Sequence, residues 1–217
     1  EEKFSSLLNR GIEILNEKQN FDKKNSKFNI IGISAKNKSK KRIFDISKFY
    51  WKDNPLDLLD IPNCNVFIEL IGSEKGISYD LIKKALEKKI HVITANKALL
   101  SKNGKELFKI AESNNTLLLY EAAVAGGIPI IKILKQSIYL DKIKKISGIL
   151  NGTTNYILSE MDFKNLSFDE VLKDAQKNGY AESDPTNDID GIDSAHKLTL
   201  LSTLCFGASI DFNRIFY

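Results

Sequence analysis

The sequence has little of what disulfide-rich or membrane-spanning proteins depend on. Its 217 residues include two cysteines and four prolines. Cys64 and Cys205 do not make a disulfide framework, and their apolar neighbours are typical of core residues in a reducing compartment. No stretch approaches about 18 uninterrupted apolar residues, and no basic segment followed by an apolar one opens the chain. We therefore expect no membrane span, no secretory signal and a cytoplasmic location.

Histidine is equally scarce, with two residues in the whole sequence. Clustered imidazole or thiolate ligands, which transition metals prefer, are therefore absent from the sequence pattern. His91 opens a predicted strand. His196 adjoins Lys197, but neighbouring positions on a helix face different ways. Both histidines are predicted to have structural roles.

Arginine is scarce as well, which bears on nucleic-acid binding. The net charge is +4, but the only arginines are Arg10, Arg42 and Arg214, and the lysines are spread among acids. The densest basic run, residues 36–42, contains no aromatic side chain on which a base could stack. We therefore expect no nucleic-acid partner.

What the sequence does contain is an alternation of strand and helix patterns. With 42% hydrophobic and 28% charged residues, it suits one large globular domain or two small ones. Apolar runs predict strands at residues 28–34, 65–70, 91–94 and 116–121, and helical periodicity predicts helices at 1–18, 74–88, 104–113 and from Pro129. A short helical turn is expected after Pro55. Strands that are apolar on both faces and separated by helices predict a parallel sheet covered on both sides.

This pattern changes after about residue 141. Residues 145–150 are predicted to form a further strand. Ser167 and Glu170 form a capping box that opens a helix, with Gly179 beyond its end. We therefore expect a domain change between residues 126 and 141.

The segment from Ile149 to Lys197 holds the strongest candidate site. Its last part predicts a helix with Asp190 as N-cap and an apolar continuation that includes Leu200. Asp193 and Lys197 lie four residues apart on the leucine-bearing face, so the pair is expected to point into the protein. Buried charges are costly unless they are paired or used. The alternative from spacing alone is a surface ion pair worth a few tenths of a kcal/mol.

Five segments carry a resemblance to a known family: HVITANKALL, EAAVAGGIPIIK, GILNGTTNYIL, AQKNGYAESDPTNDIDGIDSAHK and LCFG. With these segments the sequence resembles homoserine dehydrogenase, an oxidoreductase that reduces L-aspartate 4-semialdehyde to L-homoserine with NADH or NADPH. The resemblance runs from the first helix to about Gly207. It implies an enzyme of threonine, methionine and isoleucine biosynthesis that acts on a small molecule and forms a homodimer when full length.

The resemblance also implies roles for individual residues. Lys197 would be the acid/base beside the carbonyl being reduced, with Asp193 orienting it; an ammonium suits an oxygen that becomes an alkoxide. Implied substrate-binding residues are Glu182, Lys97 and Asp188, and implied cofactor-binding residues are Gly72, Thr94, Lys97, Gly179 and Glu182. The implied metal ligands are Glu121 and the carbonyls of Val124, Gly126 and Ile128, which are hard oxygens suited to a monovalent cation, sodium in this family. Whether Lys197 or Lys97 delivers the proton stays open.

Two features depart from the family pattern. No G-x-G-x-x-G loop, which cradles the pyrophosphate at a helix N-terminus, occurs in the sequence, and the sequence stops before the family's remaining catalytic strands. We therefore interpret it as a fragment whose own activity is open. The predicted fold class is α/β, with an incomplete Rossmann-type NAD(P)-binding domain at residues 1–127 and an incomplete α+β catalytic and dimerisation domain at 128–217.

The sequence also bears on the choice of cofactor and on two alternative functions. Residues 35–38, after the first predicted strand, contain lysine and no acid, which favours NADP over NAD. The missing phosphate loop leaves open a catalytically incapable fragment that acts only as a structural or dimerisation module. A dehydrogenase that acylates a cysteine would need an exposed Cys with a nearby base, which neither Cys64 nor Cys205 offers.

Overall fold

The structure is a computed structural model that describes residues 29–42, 45–137, 142–208 and 210–217. The helix predicted at 1–18 lies outside the described residues. The chain divides into two compact units, one ending at Asn65 and the other running from Val66 to Tyr217. The domain boundary predicted at residues 127 and 128 stays a prediction.

In the first unit a short parallel ladder joins two strands. β1 (Gly32–Ile33) pairs with β2 (Tyr50–Trp51), and a 3-10 helix follows at Pro55–Asp60 with Asn54 as its N-cap. Residue 28 of the strand predicted at 28–34 lies outside the described residues, and two of the others, Gly32 and Ile33, are in the ladder. The helical turn predicted in this region is confirmed.

The second unit contains a three-stranded parallel sheet in the order β3–β4–β5. The strands are β3 (Val66–Glu69), β4 (His91–Thr94) and β5 (Leu118–Leu119). Two helices connect them, α1 (Ile77–Glu87) and α2 (Lys97–Ser113). The strand–helix–strand alternation and the parallel pairing predicted from the sequence are therefore confirmed.

One face of this sheet is buried among the described residues, and the other is not. Alternate positions such as Phe67 and Val92 are buried, as are the α1 and α2 side chains that contact the strands. On the opposite face Val66, Ile68 and Leu119 are 41%, 55% and 42% exposed. Among the described residues α1 and α2 both pack against the same face, so the cover expected on the second face stays a prediction.

After β5 the described chain is mainly helical. A 3-10 helix at Glu121–Ala123 is followed by α3 (Ile130–Ser137), α4 (Gly152–Lys164), α5 (Phe168–Lys177), α6 (Thr186–Ile189), α7 (Ile192–Phe206) and a 3-10 helix at Phe212–Arg214. Helix α7 contacts α2, α3 and α6, and α4 contacts α5. Among the described residues there is no helix with the length and apolar content that a membrane crossing requires.

Local capping signals were right at α5 and wrong at α7. The capping box of Ser167 and Glu170 opens α5, as predicted. Helix α7 begins after Gly191, whereas Asp190 ends α6 with its N–H bonded to carbonyls of that helix. The strand predicted at 145–150 was also wrong, because no described strand lies beside it to complete a ladder.

Candidate functional site

Two lysines share one aspartate where α2 meets α7. Lys197 Nζ lies 2.6 Å from Asp193 Oδ2, and Lys97 Nζ lies 3.1 Å from Asp193 Oδ1. Asp193 is buried in the first turn of α7, while the side chains of Lys97 and Lys197 are 35% and 19% exposed. The inward Asp193–Lys197 pair expected from the spacing is present, and Lys97 joins it.

The charge state of Asp193 follows from these contacts. Burial raises the pKa of its carboxyl group, but hydrogen bonds from Lys197 and Asn151 and the charge of Lys97 outweigh burial, so the pKa lies below its ordinary value of 3.8. One ionised carboxylate therefore faces two ammonium groups. Two ammonium groups held in place by a carboxylate suit an oxygen that develops negative charge during a reaction.

The end of β4 explains how Lys97 reaches α7. The strand ends at Thr94, and the Asn96 side chain caps α2 by accepting the N–H of Leu99 at 3.1 Å. Lys97 is therefore the first residue of α2 and lies at the carboxyl edge of the sheet, where α/β proteins bind ligands. The helix start predicted at residue 104 was wrong because the Asn96 cap sets the start.

A buried asparagine that sequence reasoning missed completes the cluster. Asn151 Nδ2 donates to Asp188 Oδ1 at 2.7 Å and to Asp193 Oδ2 at 2.9 Å. Lys197 Nζ also donates to the carbonyl of Leu150, at 2.7 Å. Asp188, one of the predicted substrate residues, is thereby connected to the lysines. The signal that could have identified Asn151 is its place as the N-cap of α4.

Glu182 lies apart from this cluster. It is exposed in the loop after α5, where its backbone carbonyl accepts a hydrogen bond from Gln176 Nε2 at 3.1 Å. No described ion pair joins its carboxylate to Lys97 or Lys197. Gly179, in the same loop, has φ of +74° and open space where a side chain would begin. A ligand could therefore approach the backbone there closely.

The predicted cofactor residues Gly72 and Thr94 lie just after β3 and at the end of β4. Gly72 has φ of +81°, and no described atom comes within 4 Å of the position that a Cβ would occupy. Thr94 is fully buried, and its hydroxyl donates to Glu69 Oε2 at 2.7 Å. The Thr94 side chain is therefore used inside the protein, where it joins the end of β4 to the end of β3.

Glu69 organises this edge and was not predicted. It is 1% exposed, and its Oε1 accepts the N–H groups of Ile71 and Gly72 at 2.9 and 3.0 Å and the hydroxyl of Ser78 at 2.9 Å. With its bond from Thr94, the carboxylate fixes the turn after β3 and the end of β4. A fixed edge with open space at Gly72 fits the nicotinamide end of a dinucleotide, whereas the sequence supplies no glycine-rich loop for the phosphates.

The predicted cation ligands lie in the loop between β5 and α3. The Glu121 carboxylate accepts two backbone N–H groups at the start of α3, at 2.8 and 3.0 Å. The carbonyl of Ile128 accepts an N–H at 2.8 Å, and Val124 and Gly126 lie between these two residues. Carboxylate and carbonyl oxygens are hard donors with further lone pairs, so these residues are of the chemical type that binds a hard cation. In the described residues no group of three or more His, Cys, Asp or Glu side chains could hold a metal ion.

His196 has a packing role next to the lysine cluster. Its buried ring stacks on Phe212, with centroids 4.4 Å apart, and its Nδ1 lies 2.6 Å from Ser101 Oγ. Burial, and then the charge of Lys102, lower the pKa of His196 below its ordinary value of 6.5. The neutral ring thus connects α7 to α2, in keeping with the structural role predicted for it.

Comparison with known proteins points to one family. A family model described as "Homoserine dehydrogenase, NAD binding domain" matches residues 11–121, and one described as "Homoserine dehydrogenase" matches residues 129–217. The chain is similar to the homoserine dehydrogenase of Neisseria gonorrhoeae, with 47% identity over 75% of this chain and 37% of the relative.

Comparison with solved structures points to the same family. A Staphylococcus aureus homoserine dehydrogenase at pH 6.5 superposes with a TM-score of 0.78 and 36% identity, covering 94% of this chain and 49% of that one. A hyperthermophilic archaeal homoserine dehydrogenase in complex with NADPH superposes with a TM-score of 0.66 and 30% identity. This match covers 71% of this chain and 47% of that one. The chain thus spans less than half the length of each of these relatives. Its parallel sheet, the family models over both halves of the sequence and these likenesses together place the chain in the homoserine dehydrogenase family.

Proposed function

We propose that the complete protein containing this chain reduces L-aspartate 4-semialdehyde to L-homoserine with NADPH or NADH, a step of threonine, methionine and isoleucine biosynthesis. The observation that carries the proposal is the Asp193 carboxylate, 8% exposed and held between Lys97 and Lys197 at the carboxyl edge of a parallel sheet. A surface ion pair requires neither burial nor a second ammonium group.

The chemistry of the cluster matches this reaction. When an aldehyde carbon is reduced, its oxygen becomes an alkoxide that must take up a proton. A bound nicotinamide dinucleotide supplies the hydride. Lys197, held by Asp193 and by the carbonyl of Leu150, stabilises the negative oxygen and donates the proton. Lys97 adds positive charge, and we assign it to substrate and cofactor binding.

Two carboxylates are assigned to the substrate ammonium group. Glu182 is exposed, and its carboxylate makes no hydrogen bond among those of the described residues. Asp188 uses Oδ1 to accept from Asn151, which leaves Oδ2 for a ligand. A carboxylate is the natural partner of an ammonium, because the hydrogen bond between them is charge-assisted.

We assign the cofactor to the carboxyl edge of the sheet. Gly72 offers open space, Thr94 lies at the end of β4, and Gly179 and Glu182 lie in the loop after α5. We further propose that NADPH is preferred over NADH, because residues 35–38 contain two lysines and no acid to bind a free ribose hydroxyl.

A monovalent cation, sodium, is assigned to Glu121 and the carbonyls of Val124, Gly126 and Ile128. The single carboxylate of this set already accepts two N–H groups at the positive end of α3. Its charge is thereby partly balanced, which suits a singly charged ion better than a divalent one. We expect the ion to stabilise the loop rather than take part in the chemistry.

We also propose a homodimer in the cytoplasm. Neither Cys64 nor Cys205 forms a disulfide, in keeping with a reducing compartment. A module that only folds or dimerises has no use for a buried carboxylate with two lysines, whose desolvation costs several kcal/mol per ion. The cluster therefore favours catalysis over the purely structural alternative.

The test is an assay of the complete protein in both directions. We expect NADP reduction that depends on L-homoserine and NADPH oxidation that depends on aspartate 4-semialdehyde, and no turnover with butyraldehyde, which lacks the ammonium and carboxylate groups. An enzyme that binds NADPH but turns over neither substrate would overturn the proposed activity.

A further inference from the structure

Asn151 is placed at the centre of the charged groups without being one of them. It is 5% exposed and follows an irregular segment that ends at the start of α4. We propose that Asn151 is a positioning residue of the reaction: its amide holds the Asp193 carboxylate in the orientation that serves both lysines and ties that carboxylate to Asp188. This inference rests on the proposed function and names a residue to which that function assigns no role.

The first argument is the way the hydrogen bonds are shared at Asp193. Oδ2 accepts from Lys197 at 2.6 Å and from Asn151 at 2.9 Å, while Oδ1 faces Lys97 at 3.1 Å. Two flexible lysine chains alone would let the carboxylate rotate between them. The short Asn151 side chain comes from a different part of the chain and fixes which oxygen each lysine meets.

The second argument is that consecutive residues hold both members of the ion pair. The carbonyl of Leu150 accepts from Lys197 Nζ at 2.7 Å, and the side chain of Asn151 donates to Asp193. A shift of this one backbone segment would therefore move the lysine and its carboxylate together. Displacement of a catalytic group by about 1 Å can cost roughly a hundredfold in rate.

The third argument concerns Asp188. One amide nitrogen donates to carboxylate oxygens of both Asp188 and Asp193. Without those N–H groups, two negative side chains would face each other across a partly buried space, which is unfavourable. Asn151 therefore makes it possible for a carboxylate assigned to the substrate to lie close to the one assigned to the acid/base lysine.

The two ends of the Asn151 side chain do separate things, which makes the proposal testable. Its Oδ1 caps α4 by accepting the N–H of Thr154 at 2.8 Å and its hydroxyl at 3.0 Å. Only the amino group faces the carboxylates. Asn151→Asp keeps the capping oxygen and removes the donor, and Asn151→Ser keeps a capping residue too short to reach both carboxylates.

The experiment compares both variants with wild type and with Ser167→Ala, a matched capping variant remote from the cluster. In the complete protein we expect Asn151→Ser and Asn151→Asp to lose about tenfold to a hundredfold in kcat, with the Kd for NADPH unchanged. We expect the melting temperature of Asn151→Ser to be no lower than that of Ser167→Ala, whereas Asn151→Asp should melt lower because it adds a third carboxylate beside Asp188 and Asp193. We further expect the pH profile of kcat to move for Asn151→Asp and to stay fixed for Ser167→Ala, because only the former adds a charge at the cluster.

The outcomes separate this inference from the proposed function. A wild-type protein without homoserine-dependent turnover would overturn the proposed function, whatever Asn151 does. An active wild type whose Asn151 variants keep kcat would overturn the positioning role alone. Variants that do not fold, or that lose kcat and NADPH affinity in the same proportion, would also overturn it, because Asn151 would then be a helix cap and nothing more.

Discussion

Asp193 is the residue on which the other charged side chains of the site converge. Its Oδ2 accepts hydrogen bonds from Lys197 and Asn151, and its Oδ1 forms an ion pair with Lys97. Loss of either lysine leaves the carboxylate with remaining donors, whereas loss of the carboxylate brings two ammonium groups together with nothing between them. Substitution of Asp193 therefore combines an electrostatic defect with a structural one, and lysine substitutions are the cleaner probes of chemistry.

Lys197→Ala is expected to lower turnover strongly without weakening the binding of the cofactor. We expect kcat to fall by about 10²–10⁴, because an acid/base group is removed, while the Kd for NADPH, measured by fluorescence titration, stays constant. Lys97→Ala is the comparison and should mainly raise KM. If Lys197→Ala retains kcat and Lys97→Ala loses it, the proton donor is Lys97.

Glu69→Gln is expected to destabilise the carboxyl edge of the sheet. The carboxylate accepts four hydrogen bonds in a site that is 1% exposed, and an amide nitrogen cannot accept the ones it would meet. We expect the free energy of unfolding to fall by about 2 kcal/mol in urea titrations. Glu112→Gln, at an exposed position of α2, is the control; equal midpoints for the two variants would contradict the role of Glu69.

At the scale of helices and strands, features set by neighbouring residues could be predicted from the sequence. Features that depend on contacts between residues far apart in sequence could not. The Ser167 capping box joins residues three apart, and the Asp193–Lys197 pair joins residues four apart. A short stretch of sequence is therefore enough to predict both. Whether residues 145–150 form a strand depended on a neighbouring strand, which a local pattern cannot supply. The Asn151 bridge and the Glu69 network join residues far apart in sequence, and no periodicity encodes such contacts.

Ser167→Ala tests the capping box of α5 by itself. The Ser167 hydroxyl and the Glu170 side chain satisfy each other's backbone N–H groups. We expect a loss of about 1 kcal/mol in unfolding free energy, measured by thermal denaturation, with kcat unchanged. A change in kcat at full folding would mean that α5 communicates with the lysine cluster.

His196 is expected to make the packing of α7 on α2 sensitive to acid. Its folded-state pKa is lowered from 6.5, first by burial and then by Lys102, while Glu74 and Asp193 partly oppose this. Stability from the neutral ring is therefore present above pH 6.5 and is lost as pH falls towards the lowered pKa, because the unfolded chain takes the proton first. The loss is at most about 1.4 kcal/mol per pH unit.

The measurement for His196 is the melting temperature across pH 7.5 to 5. We expect wild type to lose stability through this range more steeply than His196→Gln, which has no titrating ring and can still bond to Ser101. Parallel pH curves for the two proteins would show that another group causes the acid sensitivity.

At the scale of the whole molecule, helix α4 has more apolar surface than the described residues cover. Ile157 is buried against Val171 and Ala175 of α5, yet Leu158 and Phe163 are 64% and 83% exposed. A helix that is apolar on more than one side is normally buried on more than one side. This surface is where we place the subunit contact of the proposed homodimer.

Phe163→Asp is therefore expected to weaken self-association of the complete protein. Its side chain is so exposed that the substitution should leave the monomer fold intact, while a charge in an apolar contact should raise the dimer Kd by tenfold or more, about 1.4 kcal/mol. Sedimentation velocity over a concentration series would measure it, with Phe216→Asp, another fully exposed phenylalanine, as the control. A monomeric wild type would refute the homodimer, whereas a dimer lost only in Phe216→Asp would place the contact around Phe216, because the two variants add the same charge at different exposed apolar positions.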